Sequence, residues 1–233
     1  MPRDSMAIGL AVLAGVAGLE AAAARPARLI LLRHGEKKTS AELCDIGIAR
    51  ADALSQQYLG KGAPGNATIY GVGGKPDAFF AVTAHTQETA APSAASWGQP
   101  VTAFSVPPKD PDEDSDLDIQ TRKAAAVLGS AAYDGKTVVV VWEHKRIAKK
   151  AMNAEGTTFW SLLDLGDIPG ADVPTSWEGA NYDYFWIVDN THAQPTFAAI
   201  RQTYPAAAQI PDNAWGEHPD PQRFAKFYQD CKD

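Results

Sequence analysis

Cysteine is almost missing from this 233-residue chain, which carries only Cys44 and Cys231. Two cysteines cannot make a disulfide scaffold, and their spacing fits no Cys-x-x-Cys metal site. Positive charge is the minority sign, with 21 Lys and Arg against 28 Asp and Glu and a formal net charge of −7. That excludes a general binder of nucleic acid or anionic membranes, which needs a basic surface, and leaves room only for a local basic pocket. No Gly-x-x-x-x-Gly-Lys-Ser/Thr loop occurs, which excludes nucleotide hydrolysis of the P-loop kind. The five histidines show no His-Glu-x-x-His spacing. Neither a metal site nor a cofactor is therefore expected.

Long apolar runs are also few. The exception lies in Met1 to Ala24, MPRDSMAIGLAVLAGVAGLEAAAA, where one arginine precedes an apolar stretch from Met6 to Leu19 and a run of four alanines. The stretch is short for a membrane span, and the small residues resemble an A-x-A cleavage site. Residues 1–24 are expected to be a signal peptide, giving a periplasmic or secreted protein with no stable membrane insertion after its removal. The competing readings are an uncleaved anchor, or a mis-assigned start before a cytoplasmic protein. In an oxidising compartment Cys44 and Cys231 can join, although two cysteines do not compel it.

What is present is an ordinary globular composition, 45% hydrophobic and 21% charged. That is not the profile of a disordered chain. It suits one domain, residues 25–233, with a sizeable core. Arg28 to Leu32 is a short apolar run ending in a polar cluster, the pattern of a strand buried on both faces. Ile46 to Leu59 has helical spacing, and Lys61 to Lys75 is expected to be loop. Ala78 to Val82 predicts a strand, Thr86 to Trp97 a helix, and Val101 to Phe104 a short strand. The proline- and acid-rich Pro107 to Asp118 is expected to be a solvated loop. A helix over Ile119 to Ala132 follows, then the strongest strand signal, Thr137 to Trp142, and a helix over Lys145 to Asn153. Tyr182 to Val188 and Thr196 to Ile200 read as late strands. Alternation of strands and helices predicts a three-layer α/β/α fold with a mostly parallel central sheet.

Arg33-His34-Gly35-Glu36 stands directly after the first strand. Strand ends of α/β sheets face the crevice where ligands bind. A histidine there, beside a permanently charged planar guanidinium, suits phosphoryl chemistry: imidazole attacks phosphorus while arginine balances the oxygens. A turn with chance polar residues is the plain alternative.

The pattern goes further. LILLRHGEK resembles the opening motif of the histidine phosphatase superfamily, the phosphoglycerate-mutase-like fold. LCDIGIARADAL, AVTAHTQETAAPSA and VVVVWEHKRI follow in the family's order, and YDYFWIVD is similar to a late strand of one bacterial branch. The resemblance spans roughly Arg28 to Asn190. It implies that His34 is the nucleophile that becomes phosphohistidine, that Arg33 grips the phosphoryl oxygens, and that His144 is a second core histidine hydrogen-bonding the transferring group.

Two departures stand out. Where the family usually has a second arginine, four residues before the threonine of the third motif (Thr89), this chain has His85. A neutral imidazole cannot replace a bidentate cation, so phosphate binding is expected to weaken or to draw on Lys37, Lys145 or Arg146. If protonated, His85 compensates in part, favouring activity at mildly acidic pH; otherwise it is a loop residue with no ligand. The second departure is the general acid, for which no family-type residue is clear. Glu143 is the candidate, although strand alternation points it away from His144 unless the chain turns there. Glu88, Asp45 and the acidic loop are weaker choices, and Glu36 is taken as a substrate contact. His192 and His218 read as surface residues.

The leading expectation is a metal-independent phosphomonoester hydrolase working through His34, on a small phosphorylated substrate or releasing inorganic phosphate. The alternatives are a non-catalytic binder of phospho-ligands with a degenerate site, and a phosphomutase. Substrate identity and oligomeric state have no signature in the sequence.

Overall fold

The computed structural model describes residues 24–107, 112–205, 209–220 and 229–232. The expected signal peptide, apart from Ala24, therefore lies outside the described residues. Six strands form one sheet: β1 (Arg28–Arg33), β2 (Ala78–Ala81), β3 (Val101–Ala103), β4 (Thr137–Trp142), β5 (Tyr184–Asp189) and β6 (Thr196–Arg201), in the order β3-β2-β4-β1-β5-β6. The three pairings among β3, β2, β4 and β1 are parallel, and β5 and β6 join antiparallel at one side. β1 and β4 sit side by side at the centre, Arg28 opposite Thr137 and Arg33 opposite Trp142.

Both central strands are apolar at nearly every position because both of their faces are covered. On one face Leu29, Leu31, Val138, Val140 and Trp142 pack with Leu117, Ala124 and Leu128 of α4 (Glu113–Leu128) and Phe159 of α7 (Phe159–Leu162). On the other, Ile30, Leu32, Val139 and Val141 pack with Leu54 of α1 (Asp45–Leu54) and with Ala90 and Ala94 of α3 (Ala84–Ser96). The expected three layers are there, and the sheet is mostly parallel, made mixed by the antiparallel β5 and β6.

Local departures have local causes. The stretch expected to be loop between Lys61 and Lys75 contains a helical turn, α2 (Asn66–Tyr70), which buries Ile69 and Tyr70 under the sheet. The acidic stretch is helical from Glu113, and residues 108–111 lie outside the described residues. Glu113, Asp114 and Asp116 occupy the first turn of α4, where negative charge complements the helix dipole. The single helix expected over Lys145 to Asn153 is two, α5 (His144–Ile147) and α6 (Lys150–Ala154), because Ala148 and Lys149 are extended. Among the described residues, no helix is long and apolar enough to cross a membrane.

Cys44 and Cys231 are joined. The bond fastens the far end of the chain to the start of α1, with the Lys232 N–H donating to the Lys37 carbonyl beside it at 2.6 Å.

Candidate active site

Strand parity builds the site. Ile30 and Leu32, Val139 and Val141, and Phe79 all face the α1/α3 layer. Two residues beyond the last of these on β1 and β4 come His34 and Glu143, while β2 runs through Ala81 to Thr83 and enters α3 with His85. The side chains of His34, Glu143, Thr83 and His85 meet there. Arg33 and His144 follow the opposite parity.

His34 is fully buried. Its Nδ1 donates to the Gly35 carbonyl at 2.6 Å, since a carbonyl can only accept. That fixes the tautomer of the neutral ring and leaves Nε2 as the free lone pair. Nε2 lies 3.3 Å from Oε2 of Glu143 and has no hydrogen-bond partner. Burial pulls the imidazole pKa down to about 4, against the pull of Glu143, so the ring is neutral at pH 7.

His85 is buried in the first turn of α3, not displayed on a loop. Its Nδ1 donates to the Ser40 carbonyl at 3.0 Å. Its Nε2 lies 2.5 Å from Oε1 of Glu143, and its ring packs edge-on against His34 with centroids 4.4 Å apart. Thr83 Oγ1 reaches the same carboxylate oxygen at 3.2 Å. Burial favours the neutral acid, yet the two imidazoles hold the Glu143 carboxyl well below the usual carboxylate range.

Arg33 is buried with its guanidinium stacked 3.6 Å from the Tyr182 ring centroid, and it donates to the Gly179 carbonyl at 2.6 Å. Its Nε has no partner. His144 opens α5 and is partly exposed, with Nδ1 unpartnered. Burial, then the charge of Arg33 and the neighbouring His34, press its pKa down to about 2. Arg33, His34, Glu143 and His144 thus share one electrostatic environment at the carboxyl ends of β1 and β4.

Glu36 is placed differently from expectation. Both of its oxygens accept from Arg50, at 2.9 and 2.6 Å, and Arg50 also donates to the Pro211 carbonyl. Burial opposes the Arg50 charge, but Glu36 more than restores it, raising the guanidinium pKa. Glu36 therefore locks the loop after β1 onto α1 and is not a free contact for substrate. Among the cations suggested as substitutes for the second arginine, Arg146 is held by Asp114 and Asp118, at 2.9 and 3.1 Å. His192 and His218 are exposed.

Several residues around the site were given no role in the sequence reading. Thr89 accepts from the Gly35 N–H at 2.9 Å, tying α3 to the histidine loop. Tyr182 supplies the face on which Arg33 lies. Asp183 is buried close behind, accepting from the Asn213 N–H at 2.6 Å. A carboxylate set just before the apolar strand FWIV was the visible signal for it.

No family model matches the chain, and no curated protein matches it by sequence. Its fold is similar to those of solved structures. SixA of Agrobacterium tumefaciens, provisionally assigned as a phosphohistidine phosphatase, is 13% identical with a TM-score of 0.44, over 76% of this chain and 99% of that one. The mycobacterial glucosyl-3-phosphoglycerate phosphatase Rv2419c is 14% identical with a TM-score of 0.43, over 77% and 100%. The product of open reading frame Rv3214 of Mycobacterium tuberculosis is 14% identical with a TM-score of 0.40, over 77% and 99%.

Proposed function

We propose that the protein is a phosphomonoester hydrolase of the histidine phosphatase type, acting through a phosphohistidine on His34. The observation that carries this reading is the Nδ1 bond from His34 to the Gly35 carbonyl, which aims a neutral, unpartnered Nε2 at the carboxyl end of the sheet. Nε2 attacks phosphorus, an N–P bond forms and the ester P–O bond breaks. Water then attacks phosphorus, the N–P bond breaks, and inorganic phosphate leaves. Arg33 stabilises the charge on the phosphoryl oxygens, and His144 hydrogen-bonds them. The leaving oxygen needs a proton, and this reading assigns its delivery to Glu143, whose carboxyl in its protonated form stands 3.3 Å from the attacking Nε2. The reaction needs no metal.

A small phosphorylated molecule fits this chemistry, and the acidic composition argues against nucleic acid as the substrate. The Cys44–Cys231 bond supports a periplasmic or secreted location.

One observation favours the rival reading of a phospho-ligand binder with a degenerate site. The Glu143 carboxylate stands 3.3 Å from Nε2, where an incoming phosphoryl group has to sit. Hydrolysis requires that carboxylate to swing aside. An aryl phosphate assay with H34A beside the native protein separates the two. The hydrolase reading expects turnover lost by more than about a hundredfold in the variant, with acid-labile phosphate trapped on the native chain. Phosphate binding with no turnover in the native protein supports the binder, and equal turnover in both proteins removes His34 from the chemistry.

A further inference from the structure

Two imidazoles and a carboxylate converge in the core with their hydrogen-bond accounts unbalanced. In both His34 and His85 the Nδ1 proton is committed to a backbone carbonyl, Gly35 at 2.6 Å and Ser40 at 3.0 Å. Both therefore turn an Nε2 lone pair toward the same carboxylate, which is itself an acceptor. His34 Nε2 faces Glu143 Oε2 at 3.3 Å, with its own ring proton already spent on Nδ1. His85 Nε2 and Glu143 Oε1 approach to 2.5 Å, a contact between two acceptors unless something positive lies between them. One shared proton serves one of these contacts and leaves the other unmet.

We propose that His34 Nε2, His85 Nε2 and Glu143 form a binding site for a divalent transition metal of the zinc class. Their donor atoms all lie within 4.8 Å of one another. The 3.3 Å between His34 Nε2 and Glu143 Oε2 is close to the edge of a tetrahedron with metal–ligand bonds of about 2.0–2.1 Å. The His85–Glu143 contact has to open to a similar length. The outer shell is already built, since each ligating ring is oriented by a carbonyl and the carboxylate is held by Thr83 Oγ1. Two nitrogens and one oxygen select zinc, cobalt or nickel over magnesium or calcium. Arg33 opposes the added charge, but its guanidinium is turned onto Tyr182 and the Gly179 carbonyl. The three ligands come from three separate strand ends, so no linear spacing announces them.

The metal site does not depend on the proposed reaction. If both hold, they compete for one atom: metal on His34 Nε2 blocks attack on phosphorus, and zinc is then an inhibitor that chelation relieves.

The test is titration of the metal-free protein with Zn2+ and Co2+ alone, with Mg2+ as control, beside H85N and E143Q. The expected result is one equivalent of Zn2+ per chain, no Mg2+, and binding weakened more than about tenfold in each variant. X-ray absorption of the native zinc protein is expected to show two imidazoles, a readout that stands even if a variant fails to fold. Zn2+ binding unchanged in both variants, or absent from the native protein, overturns the proposal. Both outcomes are distinct from any result of the aryl phosphate assay.

Discussion

Both carboxylate oxygens of Glu36 are taken by the single guanidinium of Arg50, at 2.9 and 2.6 Å, in a pair almost wholly shut from water. Desolvation makes such a pair a weak source of net stability, but removing one partner strands the other charge in the core. R50M is expected to lower the unfolding free energy by about 3–5 kcal/mol. The double variant R50M/E36Q is expected to recover a substantial part of that loss. Urea denaturation of the native protein, R50M and the double variant checks it, and a double variant no more stable than R50M refutes the argument.

Gly47 sits where α1 presses on the same loop. A Cβ there meets the Glu36 carbonyl oxygen at 2.2 Å and the Glu36 nitrogen at 3.0 Å, backbone atoms that cannot swing aside. Gly35 is tight from the other side, its Cβ position 2.8 Å from the Gly47 carbonyl oxygen. G47A is therefore expected to cost about 1–3 kcal/mol and to displace the Glu36–Arg50 pair, although alanine is the better helix former. A variant as stable as the native protein excludes the close approach. Val72→Ala, at a nearly fully exposed position, is the neutral control.

Much of this arrangement was legible beforehand, and the reasons differ by element. β1 and β4 announced themselves because strands covered on both faces must be apolar throughout. His34 was singled out because polar residues directly after such strands stand at the ligand-binding edge, and His144 because the resemblance of VVVVWEHKRI to a family motif implied it. Glu143 was weighed for parity only against His144, on its own strand. The informative comparison is with His34, on a neighbouring strand in parallel register, which needs the sheet order. His85 was noticed as a departure from a motif, but its partners Ser40 and Glu143 are 45 and 58 residues away along the chain. Acidic residues before α4 looked like solvated loop because a charge run has no periodicity, while the helix dipole makes the first turn a favourable place for them.

The Cys44–Cys231 bond closes a loop spanning 187 positions. A link that long removes much of the freedom of the unfolded chain, a stabilisation of about 3–5 kcal/mol in the chain-entropy account. Cys44 is fully buried at the start of α1, so the link also anchors the loop that carries Lys37 and Ser40. Reduction, or the C44A/C231A variant, is expected to lower the urea midpoint while leaving the sheet intact by circular dichroism. Identical midpoints with and without reductant would falsify this.

Asp183 supplies a pH dependence with a definite sign. Burial raises its pKa to about 6, against the opposing pull of Arg50 and the hydrogen bonds from Asn213 and Asn181. An acid whose folded pKa lies above its unfolded value is favoured in the fold as the neutral form. Its contribution is most favourable below the unfolded pKa of about 4 and is lost as pH rises through 6. The difference amounts to about 3 kcal/mol. D183N is neutral throughout and lacks this slope. The stability of the native protein relative to D183N should therefore fall between pH 4 and pH 7, even while other groups move both proteins together. Asn213 N–H keeps an acceptor in the variant, so the fold is not deprived of that bond. Parallel stability profiles for the two proteins across this range mean that Asp183 titrates as an ordinary exposed carboxylate, and the buried placement behind Tyr182 is then wrong.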